Sequence, residues 1–357
     1  MQINFTPGPS QLYFTVEDHA RKAFREGIPS LSHRSAAFEK ISKHATDGLK
    51  ELLELPEGYH ILFAGSATEI WERSIQNLVA ESSLHFVNGS FSKRYHEIAA
   101  QSGRQAHKIE VPAGQGFISY SPTSTPELIA LTHNETSTGV SLPLDFIHSF
   151  REQHPDALIV VDAVSSLPYP KFDYTKIDSV FFSVQKGFGL PAGLGVWIVN
   201  ERCIAKAEQL QQRGVNIGTY HSLPTLIANA KKNQTPETPN VLGIYLLGRV
   251  VSDFLKRGMH TICKETEYKA AILYHALQNH PAAKPFVADP ELRSQTVIVA
   301  QAGDATETIA KFLAEHGLQA GDGYGDKKKS QLRFANFPTH SKETYELLVD
   351  LLEKINP

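Results

Sequence analysis

Lys186 stands where an amine has few reasons to be. It closes the run Asp178-Ser-Val-Phe-Phe-Ser-Val-Gln-Lys186, and Gly187-Phe-Gly-Leu-Pro-Ala-Gly-Leu-Gly195 follows at once. The apolar, β-branched and aromatic run reads as a short buried strand, and the glycines and proline as a loop beyond its end. Earlier in the chain, Ala157-Leu-Ile-Val-Val-Asp162-Ala-Val-Ser-Ser166 offers a second buried strand tipped by a carboxylate. Either residue alone is commonplace, as a surface lysine or a strand-capping aspartate. Together, a carboxylate ending one core strand and an amine ending the next each need a partner to be tolerated there. A cofactor with an aldehyde and a protonatable ring nitrogen would partner both, the lysine as a Schiff base and the aspartate on the pyridinium. Pyridoxal 5'-phosphate uses that pair, and it is the cofactor we expect.

The phosphate of such a cofactor needs a cup. Gly65-Ser-Ala-Thr-Glu69 lies between a strand and a helix, where backbone amides and two hydroxyls could hold an anion. The same residues read as a capping box, with Ser66 at the N-cap and Glu69 three residues on, and the two readings are compatible. Phe91 follows Asn88-Gly-Ser at another strand-to-helix junction; it could stack on a planar ring or fill core. Thr132-His-Asn134-Glu135-Thr136-Ser-Thr-Gly139 follows a strand and is dense in polar groups. It is either a turn or the source of a hydroxyl for the ring's phenolate oxygen. Gln185 could aim its amide at a phosphate or at the neighbouring strand. Ser32-His33-Arg34 and Arg333 are candidate anion grips, because a guanidinium meets a carboxylate or phosphate through two parallel bonds. Lys327-Lys-Lys329 reads most simply as a solvated charge run.

Residues this far apart must be gathered by a common frame. Short strands are expected at His60–Ala64, Leu84–Val87, His107–Val111, Leu128–Thr132, Leu158–Val161, Val180–Val184 and Gly195–Val199. Helical spacing over 15–25, 36–53, 70–80 and 201–213 surrounds them. Strands separated by helices imply right-handed crossovers and a largely parallel sheet covered on both faces. Ligands bind such sheets beyond the carboxyl ends of the strands, which is where the residues above fall. Long helices over 242–255 and 261–280 lead to a second, α+β part with strands at 294–300 and 331–335 and helices at 305–316 and 342–354.

The 357 residues exceed one ordinary core and suggest two domains. Hydrophobic content of 41% with 20% charged residues is that of a soluble globular chain. Thirty-five basic against thirty-eight acidic residues leave a net charge of −3, which favours neither nucleic acid nor a membrane surface as partner. No apolar run approaches the roughly 20 residues that span a bilayer. The sixteen histidines show no metal-ligand spacing, and Cys203 and Cys263 form no CxxC or disulfide framework. No metal is expected. The start, Met-Gln-Ile-Asn-Phe-Thr-Pro-Gly-Pro, has no signal-peptide pattern, so the expected location is cytoplasmic.

Taken in order, several segments resemble the class V aminotransferases of pyridoxal-phosphate fold type I, and within that class its phosphoserine branch. They are Phe5-Thr-Pro-Gly-Pro-Ser10, Ser32-His33-Arg34, Gly65-Ser-Ala-Thr68, Asn134-Glu-Thr136-Ser-Thr-Gly139, Val161-Asp162-Ala-Val-Ser-Ser166 and Gln185-Lys186 with its glycine-rich loop. The resemblance implies an α/β fold: a large domain over 16–255 with a mostly parallel seven-stranded sheet covered by helices, and a smaller α+β domain formed by 1–15 and 256–357. Carried over position by position, Lys186 would form the Schiff base and shuttle the proton, while Asp162 would keep the pyridine nitrogen protonated. Thr136 would bond the phenolic oxygen. Phe91 falls where the family usually places a stacking tryptophan, so the ring face survives and the indole donor is lost. Ser66, Ala67, Thr68 and Gln185 match phosphate-binding elements. Thr238, in Glu-Thr-Pro239, matches a family Asn-Thr-Pro that reaches a neighbouring subunit's cofactor phosphate, which implies a homodimer with sites at the subunit interface.

For substrate, His33 and Arg34 match a pair used around a phosphate, and Arg333 matches the arginine that grips the α-carboxylate. The chain departs from the family where a second His-Arg pair is usual: it has Asp322-Gly-Tyr-Gly-Asp-Lys-Lys-Lys-Ser330. The lysines could replace the charge, or the amino donor could differ. The resemblance thus implies exchange of phosphoserine and 2-oxoglutarate for 3-phosphohydroxypyruvate and glutamate, a step of serine biosynthesis. The alternative is a serine– or alanine–glyoxylate aminotransferase of the same class. A cysteine desulfurase fits less well because neither cysteine has an activating neighbour. A non-catalytic regulator is at odds with an intact Lys186–Asp162 pair.

Overall fold

Leu128–Thr132, Leu158–Asp162 and Ser179–Ser183 are buried at every position, a pattern that requires strands covered on both faces. A computed structural model of the chain, describing residues 2–121 and 125–355, shows how this is met. Seven strands form the main sheet: β1 (Tyr59–Ala64), β2 (Ser82–Val87), β3 (Gln105–Glu110), β4 (Leu128–Thr132), β5 (Leu158–Asp162), β6 (Ser179–Ser183) and β7 (Gly195–Asn200). Their spatial order is β1-β7-β6-β5-β4-β2-β3. Only β7 runs against its neighbours, β1 and β6; the other pairs are parallel. The carboxyl ends of β1, β2, β4, β5 and β6 therefore share one edge.

Alternation along the strands splits the core in two. Ile129, Leu131, Ile159, Val161, Val180 and Phe182 face one layer, where Val16 of α1 (Val16–Arg25), Phe38 and Leu49 of α2 (Ala36–Leu52) and Val250 and Phe254 of a long helix, Val241–Arg257, pack with them. Leu128, Ala130, Leu158, Val160, Phe181 and Trp197 face the other, against α3 (Ala67–Leu78), α4 (Ser90–Gln101) and the helix Glu201–Gln212. The edge strand β3 is the polar exception, carrying His107, Lys108 and Glu110 with four of its six residues exposed; charges there oppose pairing with another sheet.

A second, antiparallel sheet is built from Lys284–Pro285, Val297–Gln301, Gly321–Asp322 and Gln331–Ala335. It packs on the helices Met259–Asn279, Thr306–Glu315 and Lys342–Lys354. Phe5 is fully buried in this second core, and Ile3–Asn4 pairs with Leu318–Gln319. Two helices lie outside the stretches expected from the sequence, Leu144–Gln153 and Leu223–Ala230. Each is short; the first, after its N-cap Pro143, turns Phe146, Ile147 and Phe150 into the core, and the second Leu223, Leu226 and Ile227, so tertiary packing of these faces holds them. Among the described residues no helix is long and apolar enough to cross a membrane, and no group of three or more His, Cys, Asp or Glu could hold a metal ion.

Candidate active site

The shared edge opens into a cavity of about 210 Å³. Asp162 ends β5 at its base, 3% exposed. Its Oδ1 accepts from the Val164 amide at 3.0 Å and its Oδ2 from the Trp71 indole at 2.8 Å. Burial pushes its carboxyl up to about 6, opposed by those two donors and by the positive charge of Lys186. Lys186 lies three residues beyond β6, 8% exposed, and its Nζ donates to Thr136 Oγ1 at 3.0 Å. Burial brings this amine down to about 8, with Asp162 pulling the other way. A lysine lowered to that range is partly neutral near pH 7.5, as a nucleophile and proton acceptor must be.

Gly8 lets the N-terminal segment close over this lysine. Its φ of +141° suits glycine, and a Cβ there would lie 2.8 Å from Lys186 Cε. Thr136 is held by its hydroxyl to Ser165 Oγ at 2.8 Å, while its carbonyl accepts from Arg333 Nη1 at 3.3 Å. Arg333 is further fixed by Nε donating to the Asp322 carbonyl at 2.6 Å and by its guanidinium lying 5.5 Å from the centre of the Tyr324 ring. Tyr324 packs on Phe91 at 4.9 Å between centroids, and Phe91 lies 5.2 Å from Lys186 Nζ. Phe91 thus stands between the amine and the tyrosine.

The turn after β1 lines the same cavity. Ser66 caps α3 by accepting from the Glu69 amide at 3.2 Å, and Glu69 returns to accept from the Gly65 amide at 2.6 Å. The Ala67 amide donates to Ser183 Oγ at 2.8 Å. Ser66, Ala67 and Thr68 present the N-terminus of a twelve-residue helix to the cavity, a position that favours an anion. Gln185 also lines the cavity; its buried Oε1 meets no hydrogen-bond partner among the described residues, and only by presenting its side-chain N–H₂ could this amide serve an anion. The donor set therefore fits pyridoxal phosphate: an anion cup, an amine, a buried carboxylate and a ring-sized slot beside Phe91. If the group is held here, Ser66, Ala67, Thr68 and Gln185 would face its phosphate, Asp162 its ring nitrogen, and Thr136 its phenolic oxygen.

Three sequence candidates are not gathered into this cavity. Arg34 is exposed and donates to Asn229 Oδ1, Gln234 Oε1, the Thr235 carbonyl and the Pro236 carbonyl, at 2.7 to 3.3 Å. His33 precedes it, half-buried, and Thr238 is exposed on the loop that Arg34 clamps. Lys327, Lys328 and Lys329 are exposed beyond Tyr324, with Lys328 3.7 Å from Asp322. Conversely, Trp71 and Tyr324 line the cavity without having been singled out. Trp71 could have been found by spacing, since it lies one helical turn after Ala67 on the same face. Tyr324 gave no signal in a stretch read by its lysines. A wider hollow of about 710 Å³ elsewhere on the surface lacks such chemistry, because its Lys206 and Arg202 pair with Glu127 and Asp178.

Glu135 is fully buried, and its two oxygens accept from the Phe91 and Ser92 amides at the start of α4, from the Ser137 amide, and from both serine hydroxyls. A Cβ on Gly89 would lie 2.4 Å from Glu135 Cγ, so glycine is what lets the chain pass. One carboxylate ties the helix bearing Phe91 to the turn bearing Thr136. Glu135→Ala should therefore lower folding stability by about 3 kcal/mol, since several buried donors lose their acceptor. Chemical denaturation checks this, and a loss below about 1 kcal/mol would show that these bonds carry little net weight.

These features, an amine and a carboxylate at adjoining strand ends beside an anion cup on a doubly covered sheet, define a class before any comparison. The class V aminotransferase family profile matches residues 3–325, and the chain belongs to that family. Among solved structures, it is similar to a phosphoserine aminotransferase from Cytophaga hutchinsonii, at 53% identity, 99% of each chain and a TM-score of 0.98. It is 30% identical over 352 residues to a phosphoserine aminotransferase from Rhodococcus opacus, spanning 97% of this chain and 91% of that one. An aspartate aminotransferase from Thermus thermophilus, at 22% identity and TM-score 0.82 over 98% and 97% of the two chains, shares the fold.

Proposed function

We propose that this aminotransferase uses pyridoxal phosphate to exchange phosphoserine and 2-oxoglutarate for 3-phosphohydroxypyruvate and glutamate, in serine biosynthesis. The observation that carries the reading is the 53% identity to a phosphoserine aminotransferase over 99% of both chains, together with Lys186, Asp162 and Arg333 lining one cavity. When bound, the cofactor supplies an aldehyde for the amino group and a ring that stores the electron pair released at Cα. The chain's own residues do the rest. Lys186, its amine lowered to about 8, takes a proton from the substrate's Cα and returns it. Asp162 stays ionised beside the ring nitrogen and holds a proton there. Arg333, pre-set by the Asp322 and Thr136 carbonyls, grips the α-carboxylate and orients the Cα–H bond toward the lysine.

His33, Arg34 and Thr238 enter this reading through a second copy of the chain. They share one surface, and Arg34 orders the loop that carries Thr238. In a homodimer that surface would complete the neighbour's site, with Thr238 at the cofactor phosphate and the cationic pair at the substrate phosphate. Lys327 to Lys329 supply charge where the family has its second His-Arg pair. The two-domain division at 16–255 belongs to the same reading.

The test is a half-reaction. Purified, cofactor-loaded protein is mixed with phosphoserine, serine, alanine or glutamate in turn, and the shift of the cofactor's absorbance to the amine form is followed. Rapid conversion with both phosphoserine and glutamate is expected. Conversion with serine or alanine but not phosphoserine would reassign the substrate to a glyoxylate-type enzyme of the same class.

A further inference from the structure

The Asp162 carboxylate has a partner that no role assigned above requires. Trp71 is 5% exposed, and its indole N–H reaches Asp162 Oδ2 at 2.8 Å from the wall of the cavity. The indole is itself braced. It stacks on Tyr95 with centroids 5.8 Å apart and planes 18° apart, and the Tyr95 hydroxyl lies 2.6 Å from Ser74 Oγ. That serine hydroxyl also donates to the Trp71 carbonyl at 2.8 Å, closing a ring of contacts between α3 and α4. The other carboxylate oxygen, Oδ1, is held by the Val164 amide at 3.0 Å. With one fixed donor on each oxygen, the carboxylate cannot rotate without losing a bond, and its free lone pairs keep one direction.

We propose that Trp71 is a positioning residue for Asp162: its indole N–H holds the carboxylate ionised and oriented to receive the cofactor's ring nitrogen. The inference rests on the function proposed above. A neutral donor suits this purpose because it stabilises the anion without offering a competing cation. A lysine or arginine at this place would neutralise the carboxylate and repel a protonated ring nitrogen. Burial works against ionisation here, raising the acid to about 6, so each donor on it matters more than in water. The indole is also rigid and stacked on Tyr95, and so returns to one position at little entropic cost.

The molecule contains its own control. Trp197, 1% exposed on β7, donates its indole N–H to Ser179 Oγ at 2.8 Å and is absent from the cavity wall. Trp71→Phe and Trp197→Phe both remove a buried indole hydrogen bond, but only the first touches Asp162. Apo protein of each variant is titrated with pyridoxal phosphate. Trp71→Phe is expected to weaken binding about tenfold or more, as loss of a hydrogen bond to a charged group should, while Trp197→Phe leaves it within about twofold. With the loaded enzyme, Trp71→Phe should lower kcat about tenfold and leave the amino-donor KM within about twofold, because the ring rather than the substrate loses its support. Equal cofactor affinity in wild type and Trp71→Phe would overturn the inference. Failure of the wild type to bind the cofactor would instead overturn the proposed function.

If Trp71→Phe does not fold, the wild-type apo protein decides the matter. Its two indole N–H resonances are compared by NMR with those of the Asp162→Asn apo protein. The Trp71 signal should shift on that replacement and the Trp197 signal should not; a Trp71 signal unmoved by it would sink the proposal.

Discussion

Lys186→Ala should slow transamination by about 10⁴-fold or more, since in the proposed mechanism one substitution removes both the amine that meets the aldehyde and the base that moves the Cα proton. Among the described residues none offers a substitute. Of the residues lining the cavity, Asp162 and Arg333 are the other ionisable groups within it besides Tyr324. Asp162 is committed to two N–H donors and Arg333 to two carbonyls. The fold should survive, because the side chain makes one hydrogen bond, to Thr136, and leaves a hollow at an existing cavity. Steady-state kinetics and the absorbance of bound cofactor measure the effect. Added methylamine should restore part of the rate if the loss is chemical. Turnover within tenfold of wild type would remove Lys186 from the mechanism.

Asp162→Asn should reduce kcat by about 10³-fold, the scale seen when a preorganised electrostatic partner is removed. The amide keeps the size and one acceptor but cannot hold a proton on the ring nitrogen, so the ring loses its power to accept electrons from Cα. A second consequence concerns apo stability. The folded carboxyl titrates at about 6 rather than its ordinary 3.8, so between about pH 4 and 6 the folded chain holds a proton that the unfolded chain releases. Stability of the apo protein must then fall as pH rises through that window. The asparagine variant should lack that contribution to the slope. Melting temperature against pH for both proteins checks this. An identical slope in the two would mean that Asp162 is ionised throughout, contrary to its burial.

The two predictions depend on the same unfavourable burial. An amine and a carboxylate withdrawn from water destabilise the empty chain, and each has its affinity for protons moved toward neutrality as a result. Ligand binding can repay that cost in a way that mutation to a neutral residue cannot. It follows that Lys186→Ala apo protein need be no less stable than wild type even though it is inactive.

Much of this was legible from residue order. Apolar strands that end in Asp162 and in Gln185-Lys186 must point their ends to one edge once β4, β5 and β6 run parallel, and that follows from strand-helix alternation alone. The helix N-terminus at Ser66, proposed as the phosphate cup, was readable because a helix N-terminus leaves its amides unpaired whatever surrounds it. Glu135 appeared in the sequence as one polar residue among several; only folding shows it capping α4 from another strand's turn. Trp71 was hidden for a similar reason, since its value lies in a bond to a residue ninety-one positions away. Arg34 shows the limit from the other side. Its sequence context suggested an anion grip, yet within one chain its guanidinium is spent on four acceptors between Asn229, at a helix end, and Pro236. Local chemistry, namely strand, cap, glycine loop and charge, is written in neighbouring residues and could be read directly. Which side chains meet across the cavity depends on the twist and order of the sheet and on helix packing, and those are set by the whole core at once.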